Sequence, residues 1–329
     1  MFKGMLISLA DGAQRNEIRE FSEAELPGGS ALVRVLYSGL NYKDALAVTG
    51  KGKVIRAFPM VPGIDLAGEI ISSENPAYRP GDLVLITGSG LGELHWGGYA
   101  QMARVPSEWL VPIPQGMSAE NAMIIGTAGF TAMLSVMAIE KAGASPDGRE
   151  VLVTGATGGV GSIATALLAH AGYTVCAVTG RMELADYLRE LGAKTVISRE
   201  DALNAPQRPL ASERWSAVVD SVGGEMLASA IRACAIGAPV AACGLTGGAN
   251  LALTVMPFIL RGVALLGIDS LNCPYDRRLQ AWKRLAVELT PDALTAVGKT
   301  YPFSEIERLS AELMQGHIRG HAALDMSQF

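Results

Sequence analysis

The 329-residue sequence predicts an α/β fold: a doubly wound, six-stranded parallel sheet inserted into a second, β-rich domain. Three observations carry the expectation. The chain is longer than one hydrophobic core usually supports. Between residues 150 and 268, near-continuous apolar runs alternate with helical stretches. On either side, the pattern changes to short β-type runs punctuated by Gly and Pro.

The N-terminal texture is plain in Ala31-Leu-Val-Arg-Val-Leu-Tyr37, Leu66-Ala-Gly-Glu-Ile-Ile71 and Asp82-Leu-Val-Leu-Ile-Thr87, the last introduced by the turn pair Pro80-Gly81. In the middle, strands are expected at 151–154, 174–179, 194–198, 216–220, 239–243 and 262–268. After the second of these, Leu184, Tyr187, Leu188 and Leu191 recur at helical spacing, and Gly192 stands where a C-terminal cap belongs. Strands that are apolar throughout and separated by helices belong to a parallel sheet covered on both faces. The tail holds one clear helix, 277–289, and then returns to short β-type pieces ending in Ala322-Ala-Leu-Asp-Met326. Such a tail is small for a core of its own. Residues 268–329 are therefore expected to complete the first domain, 1–121, with 122–267 as the insertion.

Composition narrows the function. Hydrophobic residues make up 49% and charged residues 18% of the chain, as in a globular protein with a large core. With 27 basic against 32 acidic residues and no long run of either sign, no nucleic-acid partner is expected. Cys176, Cys234, Cys243 and Cys273 form no C-x-x-C pair and read as buried thiols, which suits a reducing cytoplasm. The apolar start is too short for a secretory signal. Residues 151–180 carry no Asp, Glu, Lys or Arg, and hydropathy alone would read them as a membrane span. Six glycines interrupt them, and the pattern resolves into strand, turn, helix and strand. It is read as a buried α/β unit, with no membrane partner.

The strongest motif is Glu150-Val-Leu-Val-Thr-Gly155-Ala-Thr157-Gly158-Gly159-Val160-Gly161. A buried strand runs through a glycine-rich turn into a helix. The glycines allow a sharp turn and close approach to a pyrophosphate, whose charge meets the NH groups at the helix start. Thr157, Gly158, Gly159 and Val160 are the expected contacts. The second strand decides which nucleotide. An NAD site places an acidic residue at that strand's end to accept from the ribose 2′-OH. Here the strand ends Val178-Thr179-Gly180-Arg181, and no acidic residue occurs between Gly161 and Glu183. A hydroxyl and a guanidinium favour a 2′-phosphate, so the expected cofactor is NADPH, held by Thr179, Gly180 and Arg181. Asp220-Ser221-Val-Gly-Gly224 and Cys243-Gly-Leu245-Thr-Gly-Gly248 place small residues at later strand ends. They are read as ordinary turns or as contacts to the nicotinamide half, through Ser221 and Leu245.

These motifs, with Ser38-Gly-Leu-Asn41-Tyr42-Lys-Asp44, Phe58-Pro-Met-Val-Pro62-Gly-Ile-Asp65, Val255-Met-Pro-Phe-Ile-Leu-Arg261 and Gly267-Ile-Asp-Ser270, resemble the medium-chain dehydrogenase/reductase superfamily over essentially the whole chain. The likeness is to the zinc-free, quinone-oxidoreductase-like branch and within it to the bacterial acrylyl-CoA reductase group. It implies a GroES-like catalytic domain with a Rossmann domain inserted, a homodimer, and cofactor contacts that include Tyr42 and Ser270. In the zinc members the metal ligands match positions that look like Asn41, Ile64 and Thr127, a set unfit for zinc, so no metal is expected. The tail of related chains reads Arg-Gly-Arg where this one has Arg319-Gly320-His321. If the second Arg contacts a substrate phosphate, His321 would do so weakly above about pH 6.5.

Without a metal, the implied chemistry is hydride transfer to the β-carbon of a double bond conjugated to a carbonyl, with charge developing on the carbonyl oxygen. Tyr42 is the candidate proton donor, or only a support for the cofactor ring, and Asn41 the candidate oxyanion donor. Lys51, Lys53 and Arg56 read as a solvated loop, with CoA phosphate contact as the alternative. Reduction of acrylyl-CoA or a related short enoyl-CoA is the favoured function. Reduction of quinones or general enones, and a non-enzymatic NADPH-binding role, are the alternatives.

Overall fold

The computed structural model describes residues 1–204 and 208–329. The chain forms two units, Met1–Thr127 with Leu271–Tyr275 and Gly298–Phe329, and Ala128–Ser270 with Asp276–Val297.

The first unit opens with an antiparallel hairpin, β1 (Phe2–Ala10) and β2 (Ala13–Phe21), whose turn residues Asp11 and Gly12 both have positive φ, as two-residue hairpins require. The main sheet contains β3 (Ala31–Leu40), β4 (Asp65–Ser73), β5 (Leu83–Thr87), β6 (Met102–Val105), β7 (Val111–Pro112), β14 (Gly298–Pro302) and β15 (His321–Asp325). Its order is β14-β15-β3-β4-β5-β7, with β6 paired to β3. The expected runs at 31–37, 66–71 and 82–87 are strands here. Val33, Val35, Leu66, Ile70, Val84 and Ile86 point into one core, closed by Phe303, Ile306 and Leu309 of the segment leading into and forming α10 (Ile306–Met314). Two details of this sheet position the candidate site. Helix α1 (Tyr42–Thr49) starts directly after β3, with Asn41 as its N-cap. Strand β15 runs antiparallel to β3 with Ala322 opposite Leu40, which carries His321 to Asn41 across 280 residues of sequence.

The apolar helix α2 (Ala119–Lys141) is not anticipated by the sequence reading. It is long and apolar enough to cross a membrane, unlike the 151–180 stretch, yet 83% of its most apolar window is buried within the protein. It is not continuous: Gly126 adopts φ 53° and ψ −161°, a conformation outside the helical region and reserved for glycine.

The second unit contains the six expected strands as β8 (Glu150–Val153), β9 (Thr174–Thr179), β10 (Thr195–Ser198), β11 (Ala217–Asp220), β12 (Pro239–Ala242) and β13 (Ala264–Gly267). All pair in parallel, in the order β10-β9-β8-β11-β12-β13. The four inner strands are almost wholly buried, and the two edge strands are only partly so. Covering helices are α3 (Gly159–His170), α4 (Ala185–Glu190), α5 (Arg199–Leu203), α6 (Gly224–Arg232) and α7 (Met256–Arg261). Helix α4 closes on Gly192 as expected: Gly192 N–H donates to Arg189 O and Ala193 N–H to Leu188 O, a Schellman cap. The tail helix also forms, as α8 (Tyr275–Glu288), followed by α9 (Pro291–Val297). Most of it groups with the second unit, whereas the whole tail was expected to complete the first. The cause is its apolar face. Trp282 stacks on Phe130 at 6.2 Å, and Arg284 bridges Glu140 and Glu288.

Candidate active site

At the nucleotide end of the second unit, β8 turns into α3 around Gly155–Gly161. A Cβ on Gly161 would lie 2.4 Å from Gly155 O and 2.6 Å from Ala156 Cα, so only glycine lets the helix sit against its own turn. Gly158 is the extended N-cap of α3, and no side chain caps the helix start. The first NH groups of a twelve-residue helix are thus available to an anion.

Strand β9 ends beside this turn. The Thr157 and Thr179 hydroxyls are 3.3 Å apart, Arg181 N–H donates to Thr179 Oγ1 at 2.9 Å, and the Arg181 guanidinium donates to Thr157 O at 3.1 Å. The sequence-predicted residues Thr157, Thr179, Gly180 and Arg181 therefore meet in one place. Burial pulls the pKa of Arg181 down, a cost that a bound phosphate would offset. The structure adds Arg199, which the sequence reading missed. A Cβ on Gly180 would lie 3.0 Å from its guanidinium. The signal was there to find: β10 pairs in parallel with β9, Ser198 beside Thr179, so the residue after β10 comes to the residue after β9. Two guanidiniums and a hydroxyl around Gly180 fit an adenosine 2′-phosphate.

Ser221 and Leu245 lie on two loops that pack together at the carboxyl edge of the sheet. A Cβ on Gly244 would fall 1.9 Å from Ser221 O. Asp220 anchors the first loop, accepting from Thr154 Oγ1 at 2.6 Å and Gly223 N–H at 2.7 Å, while burial raises its pKa against those bonds. Ser221 Oγ donates to Thr154 O. Ser270 follows β13, and its carbonyl accepts from Arg278. Of the thiols, Cys176 and Cys234 are buried as expected, whereas Cys243 and Cys273 are partly exposed.

In the first unit, Asn41, Ile64, Asp65, Thr127 and His321 converge. Asn41 Nδ2 donates to Asp65 Oδ2 at 2.8 Å, and Thr127 donates to both Asp65 oxygens, Oγ1 to Oδ1 at 2.5 Å and N–H to Oδ2 at 2.7 Å. Asp44 Oδ2 accepts from Asn41 N–H and Oδ1 from Ile64 N–H. Burial, aided by Asp65, pushes the Asp44 carboxyl up to about 7. Ile64 is a buried aliphatic side chain. An amide already bonded to Asp65, an aliphatic chain and a hydroxyl bonded to the same carboxylate do not fit zinc. His321 is 5% exposed, with Nδ1 3.0 Å from Ile124 O and Nε2 3.3 Å from Asn41 Oδ1. It faces the interior, so the phosphate contact implied by resemblance is replaced by an internal one. Tyr42, the next residue after Asn41, is 43% exposed. Lys51, Lys53 and Arg56 are exposed, in keeping with a solvated loop.

Residues 27–115 match the family model for the alcohol dehydrogenase GroES-like domain, and residues 159–287 that for zinc-binding dehydrogenase. The second model names a metal, but the residues it covers run from α3 into α8 and hold five of the six strands of the parallel sheet. The chain is 48% identical over 329 residues to the acrylyl-CoA reductase AcuI of Ruegeria pomeroyi, covering 99% of this chain and 100% of that protein. It is 46% identical over 310 residues to the putative quinone oxidoreductase YhfP of Bacillus subtilis, covering 94% of each. The crystal structure of Escherichia coli K-12 YhdH with bound NADPH is similar at a TM-score of 0.95 and 48% identity, over 98% of this chain and 99% of that one. The chain belongs to the medium-chain dehydrogenase/reductase superfamily, and within it to the group that holds the AcuI and YhfP proteins.

Proposed function

We propose that this protein is a zinc-free, NADPH-dependent reductase that saturates the conjugated C=C bond of acrylyl-CoA or a related short enoyl-CoA. The observation that carries the reading is the end-to-end likeness to the acrylyl-CoA reductase AcuI, and the cation pair around Gly180 supports the cofactor. NADPH supplies the hydride. The chain's own task is to accept the charge that develops on the thioester oxygen and to deliver a proton to the α-carbon. Tyr42 is the proposed donor: its side chain is exposed at the start of α1. Asn41 is the proposed second donor to the oxygen, with one of its amide hydrogens committed to Asp65. Thr157, Gly158, Gly159, Val160, Thr179, Gly180, Arg181, Ser221, Leu245 and Ser270, together with Arg199, are the proposed cofactor contacts.

Quinone or enone reduction is the second reading, favoured by the likeness to YhfP. NADPH oxidation against acrylyl-CoA, crotonyl-CoA, a quinone and a simple enone separates the two. The highest kcat/KM is expected for acrylyl-CoA, undiminished after prolonged chelation. With NADPH deuterated at the transferring C4 position, the label is expected at the β-carbon of propionyl-CoA and the α-proton from solvent. Turnover of the quinone without the thioesters would sink the first reading.

The protein is further proposed to be a homodimer in the cytoplasm, where its thiols stay reduced. Strand β13 is an edge strand with Leu265 exposed, and the segment that leads into it through α7 exposes Val255, Leu260 and Ile259, the last 71% exposed. An edge strand flanked by an apolar patch calls for a partner, and a second copy pairing through β13 covers both. Sedimentation is expected to return twice the chain mass for the native protein and one chain mass for an Ile259→Asp, Leu265→Lys variant. A native monomer would overturn the assignment.

A further inference from the structure

Asp65 is fully buried at the start of β4 and accepts three hydrogen bonds, two from Thr127 and one from Asn41. The backbone is shaped around it. The break at Gly126 frees Thr127 N–H from the helical ladder, so that it donates to Asp65 instead. A Cβ on Gly126 would lie 2.8 Å from Asp65 Oδ2 and 2.8 Å from His321 Cε1. One on Gly39 would lie 2.9 Å and 3.3 Å from the same two atoms. Two glycines thus clear the space in which a carboxylate and an imidazole meet. Ile124 O faces Nδ1 and Asn41 Oδ1 faces Nε2, so the ring donates to both acceptors only when each nitrogen carries a proton. Burial works against both charges, raising the pKa of Asp65 and lowering that of His321.

Stability alone does not account for the arrangement, because apolar groups of similar volume usually serve a buried position as well as a buried cluster of ionisable groups does. What the cluster has in common is Asn41. Its Nδ2 is held by Asp65, its Oδ1 faces His321, and its N–H is held by Asp44. Asn41 is the N-cap of α1, whose first residue is Tyr42. From this geometry we infer that His321 and Asp65, with Thr127, are positioning residues that hold the Asn41 amide, and through the first turn of α1 the Tyr42 side chain, in the orientation the reduction requires. The inference rests on the proposed roles of Asn41 and Tyr42.

The test uses the full chain with whichever conjugated acceptor the native protein reduces, and kcat is taken per NADPH-binding site from a fluorescence titration. His321→Phe keeps the volume and removes the donors. It is expected to lower kcat about tenfold to a hundredfold while leaving the KM for NADPH within about twofold. His321→Gln, which retains an N–H, is expected to recover much of the loss. If His321→Phe does not fold, the same reading comes from Thr127→Val, expected to lower kcat, against Thr127→Ser, expected to match the native protein. Native kcat per site in His321→Phe or Thr127→Val overturns the inference. So does an equal loss in the conservative variants. Failure of the enoyl-CoA reading appears in the native protein itself, whereas failure of the positioning role appears only in these variants.

Discussion

Arg181→Ala is expected to raise the KM for NADPH roughly tenfold to a hundredfold and to leave that for NADH nearly unchanged. The loss of a charge-assisted contact to phosphate costs about 1.5–3 kcal/mol, and each 1.4 kcal/mol is a factor of ten. NADH has no 2′-phosphate and so loses nothing at that position. Arg181 is half-buried and its guanidinium is anchored by Thr157 O, so its charge is held in one direction rather than sweeping through solvent. Arg199 is exposed and lies against Gly180, so Arg199→Ala is expected to act in the same sense with a smaller effect. Steady-state kinetics with both cofactors checks the pair. Equal losses for NADPH and NADH in Arg181→Ala would remove it from the 2′-phosphate site.

Tyr42→Phe is expected to lower kcat for acrylyl-CoA by about a hundredfold, with a much smaller change in the KM for NADPH. Removing one donor to a developing oxyanion costs on that order. The substitution leaves α1 intact, because Asn41 remains the cap and its N–H still donates to Asp44. The side chain is exposed and only its hydroxyl is removed, so no internal cavity opens. The effect therefore reports chemistry rather than folding, and a melting temperature within a few degrees of native should accompany it. Unchanged turnover would leave the proton to solvent and reduce Tyr42 to a neighbour of the reaction.

Much of this protein was legible in the amino-acid order because the relevant physics is local. A glycine-rich turn between an apolar strand and a helix has few other uses, and Thr179-Gly180-Arg181 at the next strand end carries its own electrostatic signature. The six apolar runs of the second unit became six strands, with boundaries shifted by a residue or two. The absence of zinc ligands at 41, 64 and 127 was likewise a matter of residue type. Other features depend on pairings that no window of sequence contains. Arg199 reaches Gly180 only because β10 lies beside β9 in a fixed register. The tail helix joins the second unit because Trp282 finds Phe130, a choice of packing partner that periodicity leaves open. His321 read as a weakened contact to a substrate phosphate in a tail motif. The antiparallel register of β15 on β3, 280 residues from Asn41, together with a glycine break inside an apolar helix, brings it to a buried carboxylate instead. Residue type determined which groups are present; strand register and burial determined which of them meet, since hydrogen bonds and desolvation act only at contact distance.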